Sequence, residues 1–552
     1  MRNVRLISPI VRLAGAVALA LVGAVQAGAQ TRPEPAAIER TIPVEAPQLQ
    51  DVPAFATPTI DRSSHLAVAG RFTLGAVNID GATVFSRSEL SRFFEPYLAS
   101  EVDESKLSEI AARITEQYRQ KGYVLSYAVV PPQNVEAGMV RINVVEGRIS
   151  NVTVNGAGSQ RAAIEAITRP LVHTSPLKAS TLERAIGLIR DLPGIKLTDV
   201  ALIRTDVEAG IYALKITVKR NRSRGFIYSD NRGTEGSAGI RLYSSASLYS
   251  LAMNGDELRV DLFGMPGRGF HYRYGQVLAA VPLGYSGARL TASASKGDQF
   301  LRDARFNGDS TNLSLQLSYP LLRSRQLTLV GKLGVNDWRS VGSENRIRAL
   351  RDRLRVARIG LEFSSETKTR LQGELTLSQG LGFPGMTRPG DPLASRLDAG
   401  GKFTKAALTV QIARPLGSRV TLRALAIAQY SNRPLLSAEE FFLGGNRVGR
   451  AFAFNALTGD RGFGAGGEAS YRLSDPKKSR AGVELFGFVD GGSAYQVHSA
   501  VTPADRRSLA SLGAGTRFTI GATAFSLEAG VPVAGKGLSK SARLFFSAYR
   551  SF

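Results

Sequence analysis

The chain has 552 residues, no cysteine, 57 glycines and a formal net charge of +24. Without cysteine, neither a disulfide nor a thiolate metal site can hold the fold. Lys and Arg are spread over the whole length, which argues against a nucleic-acid arm, where basic residues gather; the charge suits a polar lumen or an anionic surface glycolipid instead.

Arg2, Arg5 and Arg12 precede an apolar run, Leu13 to Ala24, and Ala27-Gly28-Ala29 follows it. This is the layout of a signal peptide over residues 1–29, with Gln30 first in the mature chain. The run is shorter than the ~20 residues a spanning helix needs. Residues 30–71 are rich in Pro, Ala and Thr and read as a linker, with room for a short helix around Ala36 to Arg40.

Leu74 to Ile79 reads as a strand. Ser88 to Leu98 and Glu104 to Lys121 read as helices, with Ile110, Ile114 and Tyr118 at helical spacing. Val124 to Val130 and Met139 to Val145 read as strands joined by a hairpin carrying Pro131, Pro132 and Gly138. The order recurs at an offset of 72: Val135-Glu136-Ala137-Gly138 returns as Val207-Glu208-Ala209-Gly210, Gly122 as Gly194, and Ile114 as Ile186. Residues 72–148 and 149–221 therefore read as two copies of one β-α-α-β-β domain. An open strand edge in such a domain would accept an extended peptide through main-chain hydrogen bonds; the copies would serve equally as spacers.

Residues 222–552 switch to a period of two. Leu258, Val260 and Leu262 alternate with Glu257, Arg259 and Asp261, and Leu313, Leu315, Leu317 and Tyr319 alternate with Asn312, Ser314, Gln316 and Ser318. This is the signature of strands with one apolar and one polar face. Short turns near Asn254-Gly255, Pro282-Leu283-Gly284, Leu322-Arg323, Glu366-Thr367, Pro415-Leu416-Gly417, Asp475-Pro476 and Gly521 alternate with longer connections. The longer ones include Lys296–Ser310, Asp337–Arg351, Ser378–Lys402 and Glu439–Ala465. Short turns on one side and long loops on the other distinguish a transmembrane barrel from a sandwich. The count is sixteen strands, and closure would satisfy every backbone group in lipid.

Trp338 is expected at the outer membrane interface, where aromatics gather. His65, His173, His271 and His498 share no metal-ligand spacing, and no phosphate-cradling Gly-x-x-x-x-Gly-Lys-Ser/Thr motif occurs. Glu257 and Asp261 read as lumen charge rather than as a hydrolase dyad.

This layout resembles the transporters of two-partner secretion, the hemolysin secretion/activation protein family. Its paired domains are similar to the polypeptide-transport-associated (POTRA) domains of that family. The segment from Phe442 to Phe452, followed by Gly459-Asp460-Arg461-Gly462, resembles the family's sixth outer loop with its Val-Arg-Gly-Phe. Arg450 and Phe452 match, Ala451 replaces the glycine, and Gly449 intervenes after Val448. Phe488-Val489-Asp490-Gly491-Gly492 matches the family's Phe-x-Asp-x-Gly. The resemblance implies a loop folded into the lumen, with Arg450 paired to Asp490. Gly444, Gly445, Arg450, Phe452, Asp460 and Gly462 are then gating-loop residues, and Phe488, Asp490 and Gly492 their partners on the barrel wall. From the residues alone, Arg450 in water on an outer loop stays open, although a guanidinium meeting an inward carboxylate can bond bidentately. Ala451 leaves the loop path open, because alanine resists positive φ.

The expected architecture is thus α+β periplasmic repeats followed by an all-β transmembrane barrel, a monomer in the outer membrane. The resemblance implies export of an adhesin- or hemolysin-like partner polypeptide, with no catalytic residue, cofactor or metal. Expected partners are the secreted exoprotein (held within the two repeats), outer-membrane lipid and, during biogenesis, the barrel-assembly machinery; nucleic acid is not among them. The rival readings are an assembly factor that inserts other barrels, a passive porin and an outer-membrane enzyme.

Overall fold

The computed structural model describes residue 39 and residues 70–206, 209–233, 239–267, 269–302, 305–474, 481–499 and 505–552. The expected signal peptide, almost all of the linker and the Asp475-Pro476 turn lie outside the described residues. Of the short helix expected around Ala36 to Arg40, only Glu39 is described, with helical backbone.

The first small domain runs β1 (Phe72–Thr73), β2 (Ala76–Asp80), α1 (Arg87–Ser91), β3 (Glu101–Val102), α2 (Glu104–Gln120), β4 (Tyr127–Val129) and β5 (Met139–Val145). Its sheet has the order β2-β5-β4, with β2 parallel to β5. Helix α2 presses Leu107, Ile110, Ile114 and Tyr118 into the core. Helix α1 starts with a capping box between Ser86 and Glu89. The helix expected from Ser88 to Leu98 is not continuous: α1 stops at Ser91 and a 3-10 turn, Glu95–Tyr97, carries Pro96. Pro96 has no N–H with which to extend an α-helical ladder.

The second domain runs β6 (Arg148–Asn155), α3 (Arg161–His173), α4 (Ala179–Arg190), β7 (Ile195–Asp206) and β8 (Ile211–Arg220). Its order, β6-β8-β7 with β6 parallel to β8, is that of the first domain. The shared order follows from the shared pattern: each domain sets the strand before its first helix parallel to its last strand and buries one face of each helix against them.

A closed antiparallel barrel of sixteen strands follows. Its first strands are β9 (Ser223–Asp230), β10 (Arg241–Tyr249), β11 (Glu257–Met265), β12 (Phe270–Pro282) and β13 (Arg289–Leu301). The middle is β14 (Phe306–Arg323), β15 (Leu327–Glu344), β16 (Ile347–Glu366), β17 (Arg370–Gly380), β18 (Thr404–Leu416) and β19 (Val420–Ser431). A short hairpin, β20 (Phe441–Leu443) and β21 (Leu457–Gly459), lies in the next connection. The barrel ends with β22 (Arg461–Arg472), β23 (Ala481–Gln496), β24 (Asp505–Ile520), β25 (Thr523–Gly535) and β26 (Arg543–Ser551), and β26 pairs with β9 to close it. Leu313, Leu315 and Leu317 face outward and are exposed, as lipid-facing positions must be.

The six described short turns lie at one end, and the second small domain docks there. Asp191, just after α4, accepts from Arg323 Nε at 2.7 Å and Nη2 at 2.9 Å. Arg184 on α4 donates to the carbonyl of Pro320 at 3.0 Å, and Arg190 pairs with Glu366 at 3.4 Å.

The far end departs from expectation. Most of Lys296–Ser310 and Asp337–Arg351 is strand, because β13 to β16 continue past the apolar band. In a sheet the hydrogen-bond ladder is indifferent to where lipid ends, so polar residues there mark the membrane boundary, not the strand's. The third long connection is residues 381–403, and the fourth begins at residue 432, earlier than expected. Trp338 is also placed differently. Register pairs it with Asn312 and Leu354 on the inward face, and it packs against the cluster of Phe403, Leu435 and Leu436. It is not a lipid-interface residue.

Candidate gating site in the barrel lumen

The connection 432–460 folds inward. Strands β20 and β21 zip its base, and β21 lies against β23 and β24. Between them the chain turns sharply, with Gly444 donating to the carbonyl of Val448 at 2.9 Å and Gly445 to that of Phe452 at 3.2 Å. The left-handed backbone falls on Gly449, at φ 82, and not on Ala451. The alanine therefore costs no strain. It is fully buried, and its methyl packs against the face of Gly530 on β25.

The turn at Gly449 aims two successive N–H groups at Asp490 on β23. Gly449 donates to Oδ1 at 2.7 Å, Arg450 donates at 3.4 Å, and Ser511 Oγ donates at 2.6 Å. The implied pair between the Arg450 side chain and Asp490 is therefore corrected: Asp490 holds the loop by its backbone. The guanidinium travels past it. Its Nη1 meets Glu468 of β22 at 2.9 Å, Nη2 meets Glu528 of β25, and Nε lies 3.3 Å from Glu528. The cation lies 3.7 Å from the centre of the Phe488 ring, so Phe488 is its platform.

Other residues complete the knot. Arg232, after β9, binds Glu528 at 2.5 Å and donates to the carbonyl of Arg450 at 2.9 Å. Arg517 of β24 binds Glu468 at 2.7 Å and Glu484 at 2.9 Å. Phe452 is buried with Phe441, Leu443, Val448 and Leu457. Asp460 is fully buried at the loop's exit. It accepts from Arg396 at 2.7 Å, from the Leu435 N–H at 2.7 Å and from the Val497 N–H at 2.8 Å. Gly462 and Gly492 give clearance, since a Cβ would sit 2.1 Å from Phe441 and 2.3 Å from the Phe463 carbonyl respectively.

The expected residues thus converge on one loop and the wall facing it. Glu468, Glu528, Arg232, Arg517 and Arg396 were not singled out from sequence. Strand parity marks Glu468, Glu528 and Arg517 only as inward.

Beside the knot is a recess of about 780 Å³. Arg370, Arg423, Arg447, Arg450 and Arg517 line it, against Glu468 and Asp490. Across the lumen, the Glu39 carboxylate accepts from Tyr272 Oη at 3.0 Å and from Ser310 Oγ. Among the described residues no group of three or more His, Asp or Glu is placed to hold a metal, and no helix is long and apolar enough to cross a membrane. The crossing is made by strands.

The model of the haemolysin secretion/activation protein family, ShlB/FhaC/HecB, matches residues 213–518, and that of the ShlB-type POTRA domain matches residues 72–147. The chain belongs to this family. Like its relatives, this family member is an outer-membrane barrel with N-terminal POTRA domains on the periplasmic side. It is 24% identical over 256 residues to the heme/hemopexin transporter protein HuxB of Haemophilus influenzae, a match covering 45% of this chain and 44% of HuxB. The match thus spans less than half the length of that relative. The outer membrane transporter CdiB of Dickeya dadantii is 22% identical over 439 residues, covering 77% of this chain and 76% of its own. The solved structure of CdiB from Escherichia coli superposes with a TM-score of 0.74 at 20% identity, covering 94% of this chain and 95% of that one, and shows the same fold.

Proposed function

We propose that the protein exports a partner polypeptide, of the adhesin or hemolysin type, from the periplasm to the cell surface. The observation that carries this is a loop tied inside the barrel by Arg450 and Asp490 above a domain docked on the periplasmic turns. A passive pore has no use for either. On this reading residues 72–148 and 149–221 receive the substrate, residues 222–552 conduct it, and loop 432–460 is the gate.

Substrate capture is assigned to the edge of β7. In the first domain β4 has three residues, and the free-side N–H of Ala128 is taken by Thr115 Oγ1 at 2.9 Å. Strand β7 has twelve residues and pairs on one side only, with β8. A long unpaired edge is what strand addition needs.

Deletion of residues 72–221 tests the reading. Secretion of the partner polypeptide is expected to stop while the barrel still inserts and conducts ions. Undiminished secretion refutes export through the small domains. Failure of unrelated barrels to insert, with secretion unaffected, would favour the assembly-factor reading instead.

A further inference from the structure

The lipid-facing wall carries charge where a membrane barrel should carry little. On β15 and β16, residues of odd number point outward, as exposed Leu333, Val335, Val341 and Ile359 show. Register places Asp337 opposite Arg355, and Arg339 opposite Arg353, on this outer face. Two arginines directly opposite one another repel. Asp337 is the shared counter-charge: it accepts from Arg355 at 2.8 Å and from Arg339 at 3.1 Å. Arg353 makes no ion pair among the described residues, and its Nε is buried with no hydrogen-bond partner there. In the same cross-strand row, two strands away, is exposed Lys296, opposite Thr311, which is itself opposite Arg339.

The depth of this cluster is informative. Arg339 lies twelve residues beyond Leu327, where β15 leaves its periplasmic turn. At about 3.3 Å per residue on a strand tilted by ~45°, that is roughly 28 Å, the outer edge of the hydrocarbon layer. Just beneath it the wall is hollowed into a concavity of about 570 Å³. Ala279, Ala292 and Ala294 form its floor, and Leu313, Leu315 and Val335 form its ridges, with Asp337 and Arg355 at its rim.

We propose that this face, on β12 to β16, is a binding site for a phosphorylated glycolipid of the outer leaflet. The phosphate bridges Arg339 and Arg353, where guanidinium groups offer paired donors of the geometry a phosphate accepts. An acyl chain lies in the alanine-floored concavity. Three observations converge on this occupant: a repelling cationic pair lacking one counter-ion, its height at the outer headgroup level, and an apolar channel immediately below. The site does not depend on what passes through the barrel.

The test uses the full chain purified from membranes in detergent, with bound lipid counted by native mass spectrometry after titration with bisphosphorylated lipid A. Correct insertion is checked by heat-modifiable mobility. One lipid A is expected to survive detergent exchange on the parent protein. Retention is expected to fall about tenfold or more in Arg339→Gln/Arg353→Gln, which removes two charge-assisted contacts. If the double variant does not insert, Arg353→Gln alone is read by the same measure. Ala292→Phe, which fills the concavity and leaves the arginines, is expected to lower retention too. Lipid A stripped of its phosphates, and phosphatidylglycerol, should be retained no better than by the double variant, and inorganic phosphate should not displace the bound lipid. Equal retention by parent and double variant overturns the site. Displacement by inorganic phosphate, or equal retention of phosphatidylglycerol, overturns the glycolipid as its occupant.

Discussion

Arg450 makes two carboxylates compatible at one point in the lumen. Glu468 and Glu528 are both nearly buried and face each other across the loop tip, and the guanidinium spans them while stacking on Phe488. Removing one member of a buried ion pair usually costs 3–5 kcal/mol because the other charge is stranded. Here Arg517 still serves Glu468 and Arg232 still serves Glu528. Arg450→Ala should therefore cost less, about 2 kcal/mol, and should act mainly on the loop. The expected result is an inserted barrel with a modestly lower unfolding temperature on semi-native gels and a higher basal conductance in planar bilayers. Arg450→Lys should rescue neither fully, because an ammonium is a point charge without a fork to span two acids. Unchanged conductance in both variants would remove Arg450 from the gate. At this scale the sequence exposes Arg450, Phe452 and Asp490 because a motif carries them. It does not expose Glu468, Glu528 or Arg232. Strand parity marks the first two as inward, but which inward charge the loop meets depends on the loop's path, and that path is set by the turn at Gly449.

The elements are held by a few polar joints as much as by cores. At the end of β5, Glu146 accepts from the Thr83 N–H at 2.8 Å, the Val84 N–H at 3.0 Å and Tyr118 Oη at 2.7 Å. It thereby fastens the connection after β2, and helix α2, to the exit of the first domain. Burial pushes its carboxyl up, but the bonds from Thr83, Tyr118 and Val84 outweigh that, and the group titrates below its ordinary value of 4.5. A carboxyl depressed in the folded state adds stability that is complete above its unfolded value, and loses it as pH falls through the folded one. The Thr83 and Val84 amides should thus be protected from hydrogen exchange at pH 7 and lose protection as pH falls below the ordinary carboxyl value of 4.5, after correction for intrinsic rates. Glu146→Gln should show the lower protection at both pH values, a loss of about 1–2 kcal/mol; protection that ignores both pH and substitution would sink the assignment. Strand number was legible because alternation is local and repeated. Strand ends were not, since β13 to β16 keep their ladder beyond the membrane, and α1 was overdrawn because Pro96 falls among apolar residues at helical spacing.

Across the whole molecule the surplus of positive charge has found specific places. Dispersed Lys and Arg pointed to a lumen or a glycolipid surface, and sequence offered no way to choose, because inward and outward arginines differ only in strand parity and loop cover. The structure puts Arg370, Arg423, Arg447, Arg450 and Arg517 around one recess inside the barrel, where Glu468, Glu484, Asp490 and Glu528 answer five cations with four carboxylates and leave Arg370 and Arg447 without an ion pair among the described residues. Charges of one sign in a narrow, low-dielectric channel concentrate the opposite ion and repel their own. The inserted protein should therefore pass chloride in preference to potassium, and a KCl gradient across a planar bilayer should give a reversal potential of the anion-selective sign. Arg423, Arg450 and Arg517 are tied to carboxylates, so the selectivity should reside in Arg370 and Arg447. Arg370→Gln/Arg447→Gln should bring the reversal potential toward zero with little change in thermal stability, since Arg370 has no ion pair among the described residues and Arg447 reaches only Thr409 at 3.4 Å. Raising the ionic strength should have the same effect as the substitutions, because the Debye length shrinks from about 10 Å at 0.1 M to about 3 Å at 1 M. A cation-selective trace at low salt would show that the recess does not lie on the ion path, and would leave those arginines to grip the loop or the travelling chain.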